Sequence, residues 1–364
     1  MDIDPTANLG QTVKIRVGTV GYEAVVGSNL LDMIGERAAA LVRGRKCAVV
    51  ADSTTATLFS VEVQRSLQAA GFEPIIITIP SGENSKSLEQ AGAVCAEMAA
   101  AGLDRTSFVL AVGGGVVGDL AGFAAAIYHR GIPHVQVPTT LLAQVDSSIG
   151  GKTAVNTPAG KNLLGAVHQP LLVVADIETL KTLPPRELNQ GFAEIIKHAI
   201  IADPSLFAVL GDCNWQSLPA LVSRNIEIKA GIVASDEHDS SGQRAILNFG
   251  HTVGHAIERA AGYGRFLHGE AVSLGIVAAC EISVRHAGLA ETERQQVLDA
   301  LKERHLPVRL PADFPRAEVM SAIRADKKFE RGEARFVVAP RLGAAYLASD
   351  VTLGEIERAL AASL

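Results

Sequence analysis

Residues 108–119 read FVLAVGGGVVGD, and this stretch decides the fold of the first half of the chain. Five apolar residues lead into Gly113, Gly114 and Gly115, and a second apolar run follows as far as residue 128. A short apolar run that ends at glycines predicts a buried β-strand, and the longer run after the turn predicts a helix. Because Asp119 and several glycines interrupt the run, a strand–turn–helix unit explains it better than a membrane span.

The same alternation continues on both sides of this unit. Strands are predicted at residues 13–17, 22–27, 46–51, 73–79 and 134–137, and helices at 29–42 (capped by Ser28), 53–70 and 87–101. Alternating strands and helices at this spacing predict a parallel sheet with helices on both faces. We therefore expect residues 1–176 to form an α/β domain with a Rossmann-like parallel sheet.

The pattern changes from about residue 177. Apolar positions with helical spacing recur at residues 192–201, 218–234, 247–261, 269–287 and 292–304, and residues 335–339 and 344–348 suggest a late hairpin before a helix from residue 353. Residues 177–364 are therefore predicted to form a mainly α-helical domain.

Composition narrows the classes of function. The 364 residues exceed what one hydrophobic core usually organises, so two domains are expected. A net charge of −6 removes the usual electrostatic case for a nucleic-acid partner. The four cysteines lie far apart without a CxxC pair, and the N-terminus lacks the apolar segment of a signal peptide. We expect a cytoplasmic protein with reduced thiols and no membrane partner.

The glycine turn at residues 113–118 satisfies the pattern G-x-G-x-x-G. Glycines let the backbone approach a pyrophosphate, and the helix that follows offers free N–H groups. The turn is not the first strand–helix connection, and Asp52, the acidic residue suited to ribose hydroxyls, lies upstream of it. With the polar loops at residues 81–86 and 138–140, the turn predicts a nucleotide site, and an ordinary solvated turn is the alternative.

A histidine pair indicates a metal site in the second half. His251 and His255 are spaced i, i+4 on one helical face, and His268 opens the next predicted helix. Glu194 lies in an otherwise apolar helix, where a buried carboxylate needs a partner such as a cation. Two imidazoles and a carboxylate suit zinc or non-haem iron. Capping or core hydrogen bonding by the histidines is the alternative interpretation.

Several basic and amide side chains stand in segments of low charge near these two sites. Lys152 follows two glycines, as in a P-loop, but the first glycine of that motif is missing. The others are Lys161, Asn162, Lys197, Lys229, Arg244, Asn248, Lys327 and Lys328. Each alone could be a solvated surface group, but together they suit a small polyanionic substrate such as a phosphorylated sugar acid.

Seven motifs together resemble the 3-dehydroquinate synthase family of sugar-phosphate cyclases. They stand in the family's order at residues 113–132, 138–156, 160–170, 191–199, 247–258, 267–272 and 326–328. Among the most specific are PTTLLAQVDSSIGGKTAVN at 138–156 and LNFGHTVGHAIE at 247–258. The resemblance extends from about residue 14 to residue 347, nearly the whole chain.

This resemblance implies a lyase that converts 3-deoxy-D-arabino-heptulosonate 7-phosphate into 3-dehydroquinate and phosphate. It implies a bound NAD that is regenerated in each turnover, and one divalent metal ion, zinc or cobalt. It also implies a homodimer, because Arg130 resembles a residue that reaches the phosphate pocket of the neighbouring subunit.

The resemblance further implies a role for individual residues. The metal ligands would be Glu194, His251 and His268, and His255 would be a catalytic acid/base group. The NAD contacts would be Asp52, Glu83, Lys86, Gly114, Gly115, Asp119, Thr139, Thr140, Asp146, Lys152, Lys161, Thr182 and Leu183. The substrate would be held by Arg130, Lys152, Asn162, Lys197, Lys229, Arg244, Asn248, His255 and Lys328 (or Lys327), with catalytic roles for Lys152, Lys197 and Arg244.

Three other functions compete with this interpretation. A metal-dependent NAD polyol dehydrogenase would share the two-domain plan but would need no lysines that bind phosphate. A related cyclase would act on a different sugar phosphate. A catalytically inactive NAD-binding regulator is disfavoured by the complete ligand set.

Overall fold

The computed structural model describes residues 10–237, 242–262, 264–324, 329–330 and 333–362. The chain divides into two compact units. Unit 1 comprises Met1–Leu183 and Trp215–Ala230, and unit 2 comprises Pro184–Asn214 and Gly231–Leu364. The predicted domain boundary between residues 176 and 177 stays a prediction, because compactness does not test which part of the chain folds independently.

Unit 1 is built on a mostly parallel sheet. Its strands are β1 (Gln11–Val17), β2 (Val20–Gly27), β3 (Lys46–Asp52), β4 (Glu73–Ile79), β5 (Phe108–Gly113), β6 (His134–Pro138), β7 (Lys152–Thr157), β8 (Gly160–Val167) and β9 (Leu172–Asp176). Its helices are α1 (Ile34–Ala39), α2 (Ser53–Ala69), α3 (Leu88–Ala100) and α4 (Gly115–Ile127). Seven strands pair in the order β1-β2-β9-β6-β5-β3-β4, with only β1 antiparallel to its neighbour. The predicted α/β class is confirmed.

The core of unit 1 lies on both faces of this sheet. On one face, Val49 and Leu110 belong to a buried cluster that includes Val63 of α2. On the other face, Val50 belongs to a cluster that includes Leu120 of α4. Because the central strands are buried on both sides, their sequences are continuously apolar. Truncating a buried leucine in such a core typically costs about 2–5 kcal/mol.

The order of the strands explains where unit 1 can bind a ligand. The chain passes from β3 to β4 on one side and then returns to β5 on the other side of β3. Parallel sheets bind ligands at the carboxyl ends of their strands, where the strand order reverses. In unit 1 this position lies after Asp52 of β3 and Gly113 of β5.

Unit 2 is mainly helical, as the sequence predicts. Its elements are α5 (Pro185–Ile201), α6 (Leu206–Gly211), α7 (Leu218–Ser235), α8 (His251–Ala260), α9 (His268–His286), α10 (Glu291–Glu303), α11 (Arg316–Arg324) and α12 (Leu353–Ala362), with β10 (Phe329–Glu330), β11 (Glu333–Arg341) and β12 (Ala344–Thr352). The first part of α7, as far as Ala230, belongs to unit 1. The strands form one antiparallel sheet in chain order.

Two local predictions differ from the structure. The helix predicted at residues 29–42 is a short 3₁₀ turn followed by α1, and its first N–H groups are bound by the Asp176 carboxylate rather than capped by Ser28. The polar segment around Lys152 is a β-strand, because β7 pairs with β8 as a hairpin. No helix in the part of the chain that the structure describes is long and apolar enough to cross a membrane.

Candidate metal centre and nucleotide loops

The metal centre is built around one buried carboxylate in unit 2. Glu194 of α5 is fully buried, and among the described residues neither of its oxygens accepts a hydrogen bond of ordinary geometry. Lys197, one turn later on α5, forms an ion pair with Oε2. A buried carboxylate without hydrogen bonds is costly unless positive charge stabilises it. Lys197 supplies one charge at Oε2, and a cation at Oε1, which faces the two histidines, would supply another.

Two histidines direct ring nitrogens at this carboxylate. Nε2 of His251 lies 3.4 Å from Oε1 of Glu194, and Nε2 of His268 lies 3.7 Å from the same oxygen. Ligand atoms bound tetrahedrally at about 2.1 Å from zinc lie about 3.4 Å from one another. The three side chains therefore fit a single divalent cation, with room for further ligands.

A second contact fixes each imidazole in this orientation. Nδ1 of His251 lies 3.1 Å from the Phe249 carbonyl oxygen and donates to it when it carries the proton. Nδ1 of His268 lies 3.3 Å from Oε2 of Glu258. A proton held on Nδ1 leaves the lone pair on Nε2, which is the arrangement that a metal-binding histidine requires.

Charges in the centre favour the ligand forms of two of these side chains. Burial alone would raise the pKa of Glu194, but the charges of Lys197 and His268 hold that pKa well below its usual range. Burial lowers the pKa of His251 to about 3, so this imidazole is neutral at pH 7. Burial also opposes the charge of His268, but the carboxylates of Glu194 and Glu258 outweigh it and raise its pKa to about 9.

Close helix packing brings the ligands together. A Cβ on Gly269 would lie 2.0 Å from the backbone oxygen of Gln190, and a Cβ on Gly275 would lie 1.9 Å from that of Gly250. Gly269 follows His268, and Gln190 stands one turn before Glu194. The absence of a side chain at these two positions lets α5, α8 and α9 approach closely enough for their ligands to converge.

In unit 1, the loops after β5 and β6 meet. Gly114 caps α4, and a Cβ placed on it would lie 3.1 Å from Cγ2 of Thr140. The Thr139 N–H donates to the Gly113 carbonyl oxygen at 3.0 Å. A Cβ on Gly115 would lie 3.1 Å from Oγ of Ser147. The backbone N–H groups that begin α4 are thus framed by small polar side chains, as a phosphate-binding turn requires.

The loops after β3 and β4 also meet at the ends of these strands. Asp52 caps α2, accepting hydrogen bonds from the N–H groups of Thr54 and Thr55 at 2.8 and 2.9 Å. Its Oδ1 also lies 3.2 Å from Oγ of Ser81. Asp52 therefore occupies the acidic position, at the end of β3, that suits ribose hydroxyls.

The family model described as 3-dehydroquinate synthase N-terminal matches residues 76–190, and the one described as 3-dehydroquinate synthase C-terminal matches residues 191–329. A 3-dehydroquinate synthase of Symbiobacterium thermophilum is 47% identical over 93% of this chain and 96% of its own length. The chain belongs to the 3-dehydroquinate synthase family. Its activity is that of a 3-dehydroquinate synthase.

Solved structures related to the 3-dehydroquinate synthase family share the fold. The 2-epi-5-epi-valiolone synthase ValA from Streptomyces hygroscopicus, solved with NAD⁺ and Zn²⁺, is 31% identical with a TM-score of 0.85, over 96% of this chain and 98% of its own. A 2-deoxy-scyllo-inosose synthase, solved with carbaglucose-6-phosphate, NAD⁺ and Co²⁺, is 24% identical with a TM-score of 0.89, over 97% and 100%. At 24% identity, the similarity to the 2-deoxy-scyllo-inosose synthase shows a shared fold and no more.

Several side chains predicted to bind NAD or substrate in this family member lie together in unit 1. The Lys86 ammonium forms an ion pair with Asp119 and donates to Oδ1 of Asn162 at 2.6 Å. Burial raises the pKa of Asp119, and the charge of Lys86 opposes that shift. Nζ of Lys229 lies 2.9 Å from Oδ1 of Asp146. These contacts keep buried charges paired in the region predicted for NAD.

A second pair of contacts joins the hairpin to the loop after β4. Oε1 of Glu83 accepts a hydrogen bond from Nδ2 of Asn156 at 2.8 Å and lies 3.8 Å from Nζ of Lys161. The hairpin therefore brings side chains predicted to bind NAD close to the loop after β4, although its own strand character was not predicted.

The remaining predicted residues of unit 1 lie on exposed segments. Lys152 is exposed at the start of β7, Thr182 and Leu183 end a 3₁₀ turn, and Arg130 is exposed in a left-handed conformation with φ of 67°. Their roles stay predictions.

In unit 2, His255 lies beside the metal centre. Its ring centroid is 5.3 Å from that of His251 and 5.9 Å from that of His268, and its side chain is exposed. Arg244 is buried in a 3₁₀ turn that also contains the half-buried Asn248, and its guanidinium donates to the Glu237 carbonyl at 2.8 Å. Lys327 and Lys328 lie outside the described residues.

Sequence reasoning missed the residues that support the ligands. Glu258 contacts His268 directly, and Oε1 of Gln190 accepts the Gly269 N–H at 3.1 Å. A signal for Glu258 was present, because it stands seven residues after His251 and so shares its helix face. Gln190 carried no comparable pattern.

Proposed function

We propose that this 3-dehydroquinate synthase acts on 3-deoxy-D-arabino-heptulosonate 7-phosphate and uses one NAD and one divalent metal ion, zinc or cobalt. The observation that carries the proposal is the fully buried carboxylate of Glu194, which faces two imidazole nitrogens and accepts no hydrogen bond of ordinary geometry among the described residues. The NAD⁺ and Zn²⁺ bound by the related ValA structure support the same cofactors here.

Glu194, His251 and His268 would hold the metal ion. A bound divalent cation polarises substrate oxygens and lowers the pKa of a hydroxyl that is to be oxidised. The carbonyl oxygen of Phe249 orients the imidazole of His251, and the carboxylate of Glu258 orients that of His268. The burial of Glu194 strengthens electrostatic interactions in this position.

Unit 1 would hold NAD at the carboxyl ends of β3, β5 and β6. The N–H groups that begin α4 suit the pyrophosphate, and Asp52 suits the ribose hydroxyls. Bound there, NAD would supply reversible hydride transfer, so that the reaction would have no net oxidation. The small side chains around Gly114 and Gly115 leave space for a backbone approach.

The substrate itself undergoes oxidation, phosphate elimination, reduction, ring opening and an intramolecular aldol closure. His255 is the residue proposed to move protons, because its exposed ring stands at the edge of the metal centre and an imidazole exchanges protons near neutral pH. The cations proposed to bind the substrate carboxylate and phosphate are Lys152, Lys197, Lys229, Arg244 and Lys328, with amide contacts from Asn162 and Asn248. Cationic groups stabilise the anions formed in such steps.

The test measures inorganic phosphate released from the heptulosonate phosphate by wild type and by Glu194→Gln. Loss of a ligand carboxylate should lower the rate at least about 100-fold. Glu281→Gln is a matched control, since Glu281 is a buried carboxylate on α9 that pairs with Arg285 and Arg294. Equal rates for wild type and Glu194→Gln would refute the proposed role of the carboxylate.

Phosphate release, combined with absorbance at 340 nm, distinguishes the competing functions. Absorbance at 340 nm that rises steadily with glycerol, without phosphate release from the heptulosonate phosphate, would indicate a polyol dehydrogenase. Phosphate release from a different sugar phosphate in a panel would indicate another cyclase.

The homodimer and the cytoplasmic location belong to the same proposal. Arg130 and His129 both have positive φ, and strained backbone of this kind tends to be kept at functional sites. If Arg130 serves the neighbouring subunit, mixing inactive Arg130→Ala with inactive Glu194→Gln should restore activity, because each mixed dimer then has one complete site. No restoration in mixed dimers, checked by mass, would place Arg130 in its own subunit's site.

A further inference from the structure

The imidazole of His268 lies between two carboxylates. Its Nε2 faces Oε1 of Glu194 at 3.7 Å, and its Nδ1 faces Oε2 of Glu258 at 3.3 Å. Glu258 is buried, with 5% of its surface exposed, and stands one turn after the exposed His255 on α8. The second side of His268 therefore has its own carboxylate and its own neighbouring histidine.

These three side chains have the composition and the spacing of a metal site. His255, Glu258 and His268 each offer a ligand atom, and those atoms lie within 4.8 Å of one another. Residues spaced i, i+3 on a helix are neighbours on its surface, so α8 supplies two ligands without strain. Two imidazoles and a carboxylate are a common ligand set for zinc and its neighbours in the first transition series.

We propose that His255, Glu258 and His268 form a second position for a divalent transition-metal ion, distinct from the position at Glu194 and His251. The two positions share His268 and use opposite nitrogens of its ring. A neutral imidazole has one lone pair for coordination, so one ring serves one cation at a time. The two positions therefore compete, and the exposed one should be filled chiefly when the buried one is disabled or when metal is in excess.

Exposure of the side chains supports this order. Glu194 is completely buried, whereas the second position opens to solvent through His255 and through the 32% exposed side chain of His268. A cation can enter the second position without crossing the buried centre. Because His255 is the residue proposed for proton transfer, a cation bound there would also inhibit turnover, and this consequence rests on the proposed function.

The test is a Co²⁺ titration of the metal-free protein, followed by the visible absorbance of the bound ion and by equilibrium dialysis. The double variant Glu194→Ala/His251→Ala removes two ligands of the buried position and leaves the second position intact. It should still bind one equivalent of Co²⁺. Adding His255→Ala and Glu258→Gln should weaken that binding at least about 100-fold. A double variant that folds, by circular dichroism, and binds no Co²⁺ overturns the proposal.

A second comparison covers the case in which the double variant does not fold. In a His251→Gln background, the proposal expects Co²⁺ affinity to fall on adding His255→Gln. If the remaining ion were held only by Glu194 and His268, adding His255→Gln would leave the affinity unchanged, and the proposal would be wrong. His286→Ala is the control, since His286 also lies beside two carboxylates, Asp350 and Glu355, at 3.0 and 3.3 Å. None of these readouts depends on activity, so they remain informative if the proposed function fails.

Discussion

The sharpest structural prediction concerns Gly269, where α9 packs closely against the backbone of α5. A Cβ added by Gly269→Ala would lie 2.0 Å from the Gln190 carbonyl oxygen and 2.7 Å from its carbon. Both atoms belong to backbone, so they cannot rotate away as a flexible side chain could. Reaching even the 3.0 Å limit of real Cβ contacts requires the two helices to separate by at least about 1 Å.

That displacement acts directly on the metal centre. His268 precedes Gly269, and Glu194 stands one turn after Gln190. Metal sites tolerate errors of only about 0.2 Å in ligand distance, so a shift of about 1 Å should lower metal affinity at least about tenfold. Overpacking of this kind also destabilises the fold by about 1–3 kcal/mol.

Two measurements check this prediction. Affinity for Zn²⁺ is measured by competition with a chromophoric chelator, and stability by urea unfolding of the metal-free protein. Gly231→Ala is the matched control, because Gly231 also lies in a helix of unit 2 and a Cβ there would meet nothing within 4 Å. It should be neutral or stabilise by up to about 1 kcal/mol. A Gly269→Ala variant with wild-type affinity and wild-type urea midpoint would refute the packing argument.

Four further predictions follow from single side chains. His268→Ala should abolish both bound metal and turnover, and undiminished metal in elemental analysis would remove it from the ligand set. Lys197→Ala should retain NAD but impair the use of substrate, which steady-state kinetics with normal constants would contradict. Burial lowers the pKa of His134 to about 3, so on acidification the unfolded chain takes up a proton before the folded one does. The free energy of unfolding should therefore fall as pH drops from about 6.5 towards 3, by up to about 1.4 kcal/mol per pH unit. Urea unfolding of His134→Leu should lack this part of the pH dependence, and an unchanged pH dependence would contradict the prediction. Burial raises the pKa of the Cys280 thiol to about 12. A thiol reagent should therefore label the half-buried Cys213 first and reach Cys280 only on unfolding. Labelling of Cys280 in the folded protein would contradict its burial.

The parallel sheet could be predicted because its signal is local. The residues of β5 are buried throughout, and a strand buried on both faces must be apolar along its whole length. The hairpin of β7 and β8 could not be predicted, because most of β8 is exposed and its sequence has no alternation that distinguishes a strand from a polar loop. The 3₁₀ turn that leads into α1 depends on Asp176, which is far away in sequence and reaches it only through the fold.

The metal centre, likewise, could be predicted from the sequence only in part. His251 and His255 follow from helix periodicity, and Glu194 is conspicuous as a charge in an apolar helix. Glu258 shares the helix face of His251 in the sequence, but its burial beside His268, which the fold shows, is what distinguishes it from an ordinary surface glutamate. The close contacts at Gly269 and Gly275 are equally hidden, because glycine has many uses and only the backbone positions show which one applies.

The most direct test of the account compares phosphate release from 3-deoxy-D-arabino-heptulosonate 7-phosphate before and after removal of metal. The protein is treated with a chelator, dialysed, and reconstituted with Zn²⁺ or Co²⁺ at one equivalent. We expect release to stop in the metal-free protein and to return with either ion, without net formation of NADH. Release that continues at the original rate in protein shown by elemental analysis to contain no metal would contradict the account.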